Sequence, residues 1–200
     1  MQGAVSPSQA RRSPTQQVAP SPSEAALVDR LRAGELAPLA AAFDRWHQRV
    51  RVLARRLLSD PAAAEDVVQD VFTALPRAAR QFRGDVDLET FLLAIAVKRV
   101  RRHQRAALRR RKALERLGAT EPRGPLDPEQ DTYRRELGGR LEAALDRLPL
   151  PQRVAFVLCE VEELTAGQAA AIADAPEATI RTRLFHARRR LRELLAEERG

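Results

Sequence analysis

Apolar residues recur at intervals of three and four along most of this chain. From Ser23 onward, Leu27, Leu31, Leu36, Leu39, Phe43, Trp46, Val50, Leu53, Leu57 and Leu58 keep helical spacing with local slips. Asp60 followed by Pro61 reads as an N-cap with proline at the first helical position. That helix should run to about Leu75, where Pro76 is expected to end or kink it. A polar loop around Arg83-Gly84-Asp85 leads to a third helix from about Asp87. Its apolar Phe91, Leu92, Ile95 and Val100 give way to Arg99, Arg101, Arg102, Arg105, Arg109, Arg110 and Arg111.

The flanking segments break this pattern. Residues 1–23 are rich in Ser, Pro, Gln and Ala without period and read as a disordered tail. Between about Leu117 and Pro128 the composition shifts to Gly, Pro and acidic residues, and residues 107–130 read as a flexible linker between two small helical domains, 24–106 and 131–195. In the second, Pro149 and Pro151 separate an entry helix from a core helix at Gln152–Val161. No strand signal appears, so the expected fold is all-α.

The stretch from Leu164 to Leu195 carries the sharpest local signal. Thr165 and Gln168 form a capping box, and Ala169, Ile172 and Ala173 would face a partner helix. Asp174-Ala175-Pro176-Glu177 interrupts the pattern. From Thr179 a new helix turns Ile180, Leu184, Leu191 and Leu195 inward, with Arg181, Arg183, Arg188, Arg189 and Arg192 elsewhere. Two short helices around a tight break fit a helix-turn-helix whose second helix enters a DNA major groove. The bland alternative, a solvated basic face, stays open on this segment alone.

Charge narrows the choice. A net charge of +8, with lysine only at positions 98 and 112 among 35 basic residues, favours a polyanionic partner met by guanidinium forks. The single Cys159 lies beside the apolar run Val154–Leu158 and reads as a small core residue in a reducing, cytoplasmic compartment. His47, His103 and His186 have no metal-ligand spacing, so neither metal nor cofactor is expected. The longest apolar run, Phe91–Val97, is too short for membrane insertion. No catalytic constellation emerges, and Glu162-Glu163 and Glu197-Glu198 read as solvated charge. The chain is not expected to be an enzyme.

Three segments, in order, resemble the extracytoplasmic-function group of bacterial sigma factors, within the sigma-70 family. SDPAAAEDVVQDVF (Ser59–Phe72) is similar to the region 2 helix that grips RNA polymerase. LETFLLAIAVKRVRRHQR (Leu88–Arg105) is similar to the helix that engages the −10 element. Arg147–Leu194 resembles the region 4 helix-turn-helix that reads the −35 element. The resemblance implies that the chain directs core RNA polymerase to promoter DNA, with an anti-sigma factor as a further partner. Alternatives are a sigma-like regulator that does not initiate transcription, and a plain helix-turn-helix repressor that binds duplex without polymerase.

On that resemblance, Asp66, Gln69 and Asp70, at i, i+3, i+4 spacing, would bind polymerase. Lys98, Arg101, Arg102 and Arg105 would hold DNA near the −10 element. Thr179, Arg181, Thr182, Arg183 and His186 would read or flank the −35 element, with Arg188 and Arg189 on phosphates. The loop from Phe82 to Thr90 corresponds to the family segment that captures a flipped base. The chain departs from the family pattern at five places. Pro76 stands for the usual tryptophan, Ala63 for an acid, and Val97-Lys98 with Arg102 for Arg-Asn and Asp. Asp174 stands for the turn glycine and Pro176 for a hydroxyl N-cap. A linker of residues 107–130 would reach at most ~80 Å extended, or roughly 24 base pairs at ~3.4 Å each.

Overall fold

A computed structural model describes residues 20–116 and 132–197. Within them the chain is helical, without strands: α1 (Pro22–Arg32), α2 (Leu36–Leu57), α3 (Pro61–Ala79), α4 (Leu88–Arg116), α5 (Thr132–Asp146), α6 (Leu150–Phe156), α7 (Ala166–Ala173) and α8 (Glu177–Glu197). The tail 1–19 and the linker core 117–131 lie outside the described residues.

Local chemistry explains most boundaries. Ser21 caps α1 through a capping box with Glu24, so the helix begins at Pro22, inside the segment 1–23 expected to be a disordered tail and one residue before the spacing that starts at Ser23. The slip in that period is a break: Gly34 adopts φ +83°, a left-handed value that glycine takes without Cβ penalty, and α2 starts afresh at Leu36. Asp60 accepts from the Ala62 N–H and Pro61 occupies the first turn of α3, as expected.

Pro76 does not end α3. The helix continues to Ala79. Proline removes one donor from the ladder, but Leu75 and Ala79 on either side are completely buried, and tertiary packing holds the last turn. Nor does α4 stop near residue 106; it runs to Arg116. Helical residues advance ~1.5 Å each, so the extended reach left to residues 117–131 is roughly 50 Å.

Helices α1–α4 pack around Leu31, Trp46, Val50, Leu53, Leu57, Val67, Val71, Leu75, Leu92 and Val100. This core does not close on itself. Val154, Leu158, Ile172, Ala173 and Ile180 from the second module belong to the same apolar cluster, while Ala144, Leu145, Leu148, Ala187, Leu191 and Leu194 form a smaller one between α5 and α8. The modules therefore meet along a seam in which α4 lies against α7.

Polar groups lock that seam reciprocally. The last carbonyls of a helix lack intrahelical donors and carry the negative end of its dipole. Arg153 of α6 reaches across to donate to the carbonyl of Leu57, the last residue of α2, at 3.1 Å. Arg101 of α4 donates in return to the carbonyl of Ala173, the last residue of α7, at 2.7 Å. Each module's arginine caps a helix of the other. Arg153, 4% exposed, also pairs with Asp146 at 2.8 Å. Its burial holds its pKa below the ordinary arginine value, with Asp146 opposing.

Replacing Arg153 with alanine should destabilise the chain by about 1.5–3 kcal/mol, the range for a hydrogen bond with a charged partner. Urea unfolding checks this, and a change under 0.5 kcal/mol would show that the Leu57 carbonyl needs no donor.

Candidate nucleic-acid interface and polymerase-docking face

The helix-turn-helix forms as its sequence requires. Thr165 and Gln168 make the capping box of α7. Asp174 takes the left-handed conformation, φ 47° and ψ 58°, at the helix end. The Ala175 N–H then bonds back to the Ala170 carbonyl at 3.1 Å, a Schellman-type closure. Aspartate stands here because it tolerates this region better than most residues with a side chain. α8 begins at Glu177, two residues earlier than expected, with the Pro176 carbonyl accepting from the Ile180 N–H.

Ile180, Ala187, Leu191 and Leu194 bury one side of α8. Its outer side presents Arg181, Thr182, His186, Arg188 and Arg189, all exposed, while Thr179 and Arg183 are half-buried. Several are already engaged. Arg181 pairs with Glu177 and Arg188 with Glu160. Arg189 lies 3.7 Å from Glu193. The Thr182 hydroxyl donates to the Ala178 carbonyl at 3.0 Å. Phe185, 62% exposed and edge-on to His186 at 5.5 Å, sits in the middle of this face. Sequence reasoning passed over it. Its signal was an aromatic off the buried stripe.

On α4 the expected set divides. Lys98, Arg102 and Arg105 are exposed. Arg101 is turned onto the end of α7, where burial, then the guanidinium of Arg183, push its pKa down while Asp174 opposes them. Arg101 and Arg183, expected at two different promoter elements, thus lie close together. Ahead of α4, Asp87 accepts from the Thr90 N–H at 2.6 Å and fixes the loop from Phe82. Beside it Ser21, Glu24, Arg45, Trp46, Arg49, Asp87 and Glu89 line an open cleft of about 740 Å³.

On α3, Asp66 and Gln69 are exposed and without polar partners among the described residues. Asp70 is half-buried, 3.7 Å from His103 Nε2. The three share one face, opposite the buried Val67, Val68 and Val71. Next to it, Phe43 stays 39% exposed while meeting Phe72 edge-on at 5.0 Å and stacking on His47 at 4.7 Å.

Sequence comparison supplies the lineage. Sigma-70 region 2 matches residues 42–111 and sigma-70 region 4 matches 138–191. The ECF RNA polymerase sigma-E factor of Escherichia coli K12 is 31% identical over 171 residues, covering 81% of this chain and 88% of that protein. The chain belongs to the extracytoplasmic-function sigma factors. It is a sigma-70 family protein for promoter-specific transcription initiation, which binds core RNA polymerase and promoter DNA.

The ECF RNA polymerase sigma factor SigE of Mycolicibacterium smegmatis is 32% identical over 78% of this chain, which spans 64% of that relative's length. Among solved structures, the sigma factor RpoE from Bartonella quintana, in complex with the anti-sigma factor NepR, aligns over 78% of this chain with TM-score 0.62 and 26% identity. CnrH, in complex with the cytosolic domain of CnrY, aligns over 87% with TM-score 0.61 and 21% identity and shares the fold.

The sigma factor also holds a buried ion-pair network that its sequence conceals. Glu162 is not solvated: its side chain is 2% exposed and pairs with both Arg49 and Arg56 of α2. The backbone arranges this. Helix α6 widens into a π turn at Val157–Val161, and Glu163 adopts φ +53°, together rotating Glu162 toward α2. The same turn holds Cys159 half-buried at the edge of the core, where burial first and Glu160 second raise its thiol pKa against the pull of Arg188. The thiolate is the reactive form. Iodoacetamide should therefore alkylate Cys159 more slowly in the folded chain than in urea; equal rates would contradict the burial.

Proposed function

We propose that this sigma factor works by exchanging an internal grip for an external one. In the closed arrangement Arg101 holds the end of α7, and the two DNA-directed helices are packed into one core. Two promoter elements lying apart along a duplex cannot both be met in that state. Binding to polymerase and promoter separates the modules. Arg101 leaves the Ala173 carbonyl and joins Lys98, Arg102 and Arg105 on the −10 region. The outer face of α8, with Thr179, Arg181, Thr182, Arg183 and His186, reads the −35 element, and Arg188 and Arg189 exchange their glutamate partners for phosphates. Asp66, Gln69 and Asp70 dock on a cationic surface of core polymerase.

The observation that carries this reading is the double occupancy of Arg101, placed on a stripe directed at DNA yet serving as a cap. A guanidinium has donors enough for phosphate, but its direction serves one partner at a time. Phe185 joins the base-reading face, because an exposed apolar group among guanidiniums suits a thymine methyl in the major groove. The likeness to the Bartonella sigma factor bound to NepR supports an anti-sigma factor as a partner. No helix among the described residues is long and apolar enough to cross a membrane, in keeping with action beside polymerase in the cytoplasm. The chain serves as a targeting subunit, and the bond-making chemistry belongs to the polymerase.

Run-off transcription with purified core enzyme, on promoters selected by the holoenzyme, tests the whole reading; stable binding to core without any transcript would reject it. Arg183→Ala should relax preference at one −35 position at a cost of about 1–3 kcal/mol, measured by competition among single-base variants. Uniform weakening on every sequence would remove Arg183 from the reading set.

A further inference from the structure

Helix α4 continues past the segment that resembles the −10 reader, and its continuation is as cationic as its start. Exposed cations at Lys98, Arg102, Arg105, Arg109, Lys112 and Arg116 follow one another at steps of four, three, four, three and four. Steps alternating between three and four keep side chains on one face of a helix. None of the six has an acidic partner among the described residues. From residue 98 to 116 the sequence offers a single acid, Glu115.

An unpartnered arrangement of this kind opposes itself. Like charges at i, i+4 each destabilise a helix by about 0.2–0.5 kcal/mol. Lys98–Arg102, Arg105–Arg109 and Lys112–Arg116 are such pairs on the exposed face, and Arg101–Arg105 is a further one. The helix dipole favours cations in the last turn only, so it accounts for Arg116 and leaves the middle of the stripe unexplained. Packing does not account for it either. From Gln104 to Ala113 no side chain of α4 is fully buried, and Leu108 is 51% exposed.

We propose that residues 105–116 of α4 form a second, sequence-independent DNA site, which holds the phosphates of the duplex between the two promoter elements. The inference rests on the promoter-binding reading above and adds a contact to it. Three arguments select this occupant. The charge is complementary to a duplex that presents one phosphate per ~1.7 Å of axis. The stripe continues directly from Lys98 and Arg102, without a break in the helix. Chain order places it between the −10 module and the −35 module, so DNA running from one to the other passes along it. Its length from Lys98 to Arg116 is ~27 Å, or about eight base pairs at ~3.4 Å each. Phosphate contacts of this kind position the protein and carry no base information.

The test uses the full chain in holoenzyme with core polymerase and a selected promoter. A variant combining Arg109→Ala, Lys112→Ala and Arg116→Ala is compared with wild type over a salt series. The three contacts should reduce the magnitude of the slope of log K against log salt by about 2–3, at about 0.9 per phosphate, with base preferences unchanged. On a fragment whose duplex stops just upstream of the −10 element, variant and wild type should bind alike. A matched variant with Arg109→Lys and Arg116→Lys should keep the wild-type slope, and the helical circular dichroism signal of all forms should agree.

An unchanged salt slope would overturn the proposal. Equal weakening on full and truncated fragments, or weaker binding to core polymerase without DNA, would overturn it in favour of a polymerase contact. Failure of the promoter-binding reading itself looks different: wild-type holoenzyme would then bind no selected promoter at any salt.

Discussion

The arrangement of this chain depends on how two helix ends are satisfied. Leu57 ends α2 and Ala173 ends α7, and each leaves carbonyls facing the other module. The Leu57 carbonyl meets its donor in a buried contact and the Ala173 carbonyl in a partly buried one. Arg153 and Arg101 supply the donors, each from the opposite module. The exchange makes two bundles, each small enough to be marginal alone, into one core. It also commits Arg101, which is proposed to hold −10 DNA, to an internal task.

The seam can form because its apolar residues are small where helices approach. Ala96 and Val97 of α4 and Ala169 and Ala173 of α7 are fully buried, so the backbones come close enough for a guanidinium to reach a carbonyl across them. The acids follow the same economy in a chain of net charge +8. Glu162 pairs with two arginines at the seam, and Glu160 and Glu177 pair with arginines on the outer face of α8. Asp66, left without a polar partner among the described residues, is available to a foreign surface. The charge pattern sorts internal contacts from external ones.

How much of this was legible in the sequence follows from the range of the forces involved. The helix-turn-helix was readable because its determinants are local: the Thr165–Gln168 box, the left-handed Asp174 and the apolar spacing of α7 and α8 act within a few residues. The acidic face of α3 was readable for the same reason. Pro76 does not end α3 because burial at Leu75 and Ala79 holds the last turn, so one of the two expected outcomes, an early end, did not occur. The slip after Leu31 concealed a break between helices, since spacing alone does not distinguish a slipped helix from two helices joined at Gly34. Glu162 was out of reach. Its partner Arg49 is 113 positions away, and its burial depends on a π turn that no composition signal announces. The spacing places Arg101 on α4, but its neighbours could not be foreseen without the opposing module.

The central claim is that one core holds both modules in the free chain and yields when the promoter is engaged. Electron-spin distance measurement tests it most directly. Labels are placed at Ala62 on α3 and Arg192 on α8, both exposed, in a Cys159→Ser background. The free chain should give one narrow, short distance distribution, and the holoenzyme on promoter DNA should replace it with one longer by tens of ångströms. The same short distance in both states would contradict the account.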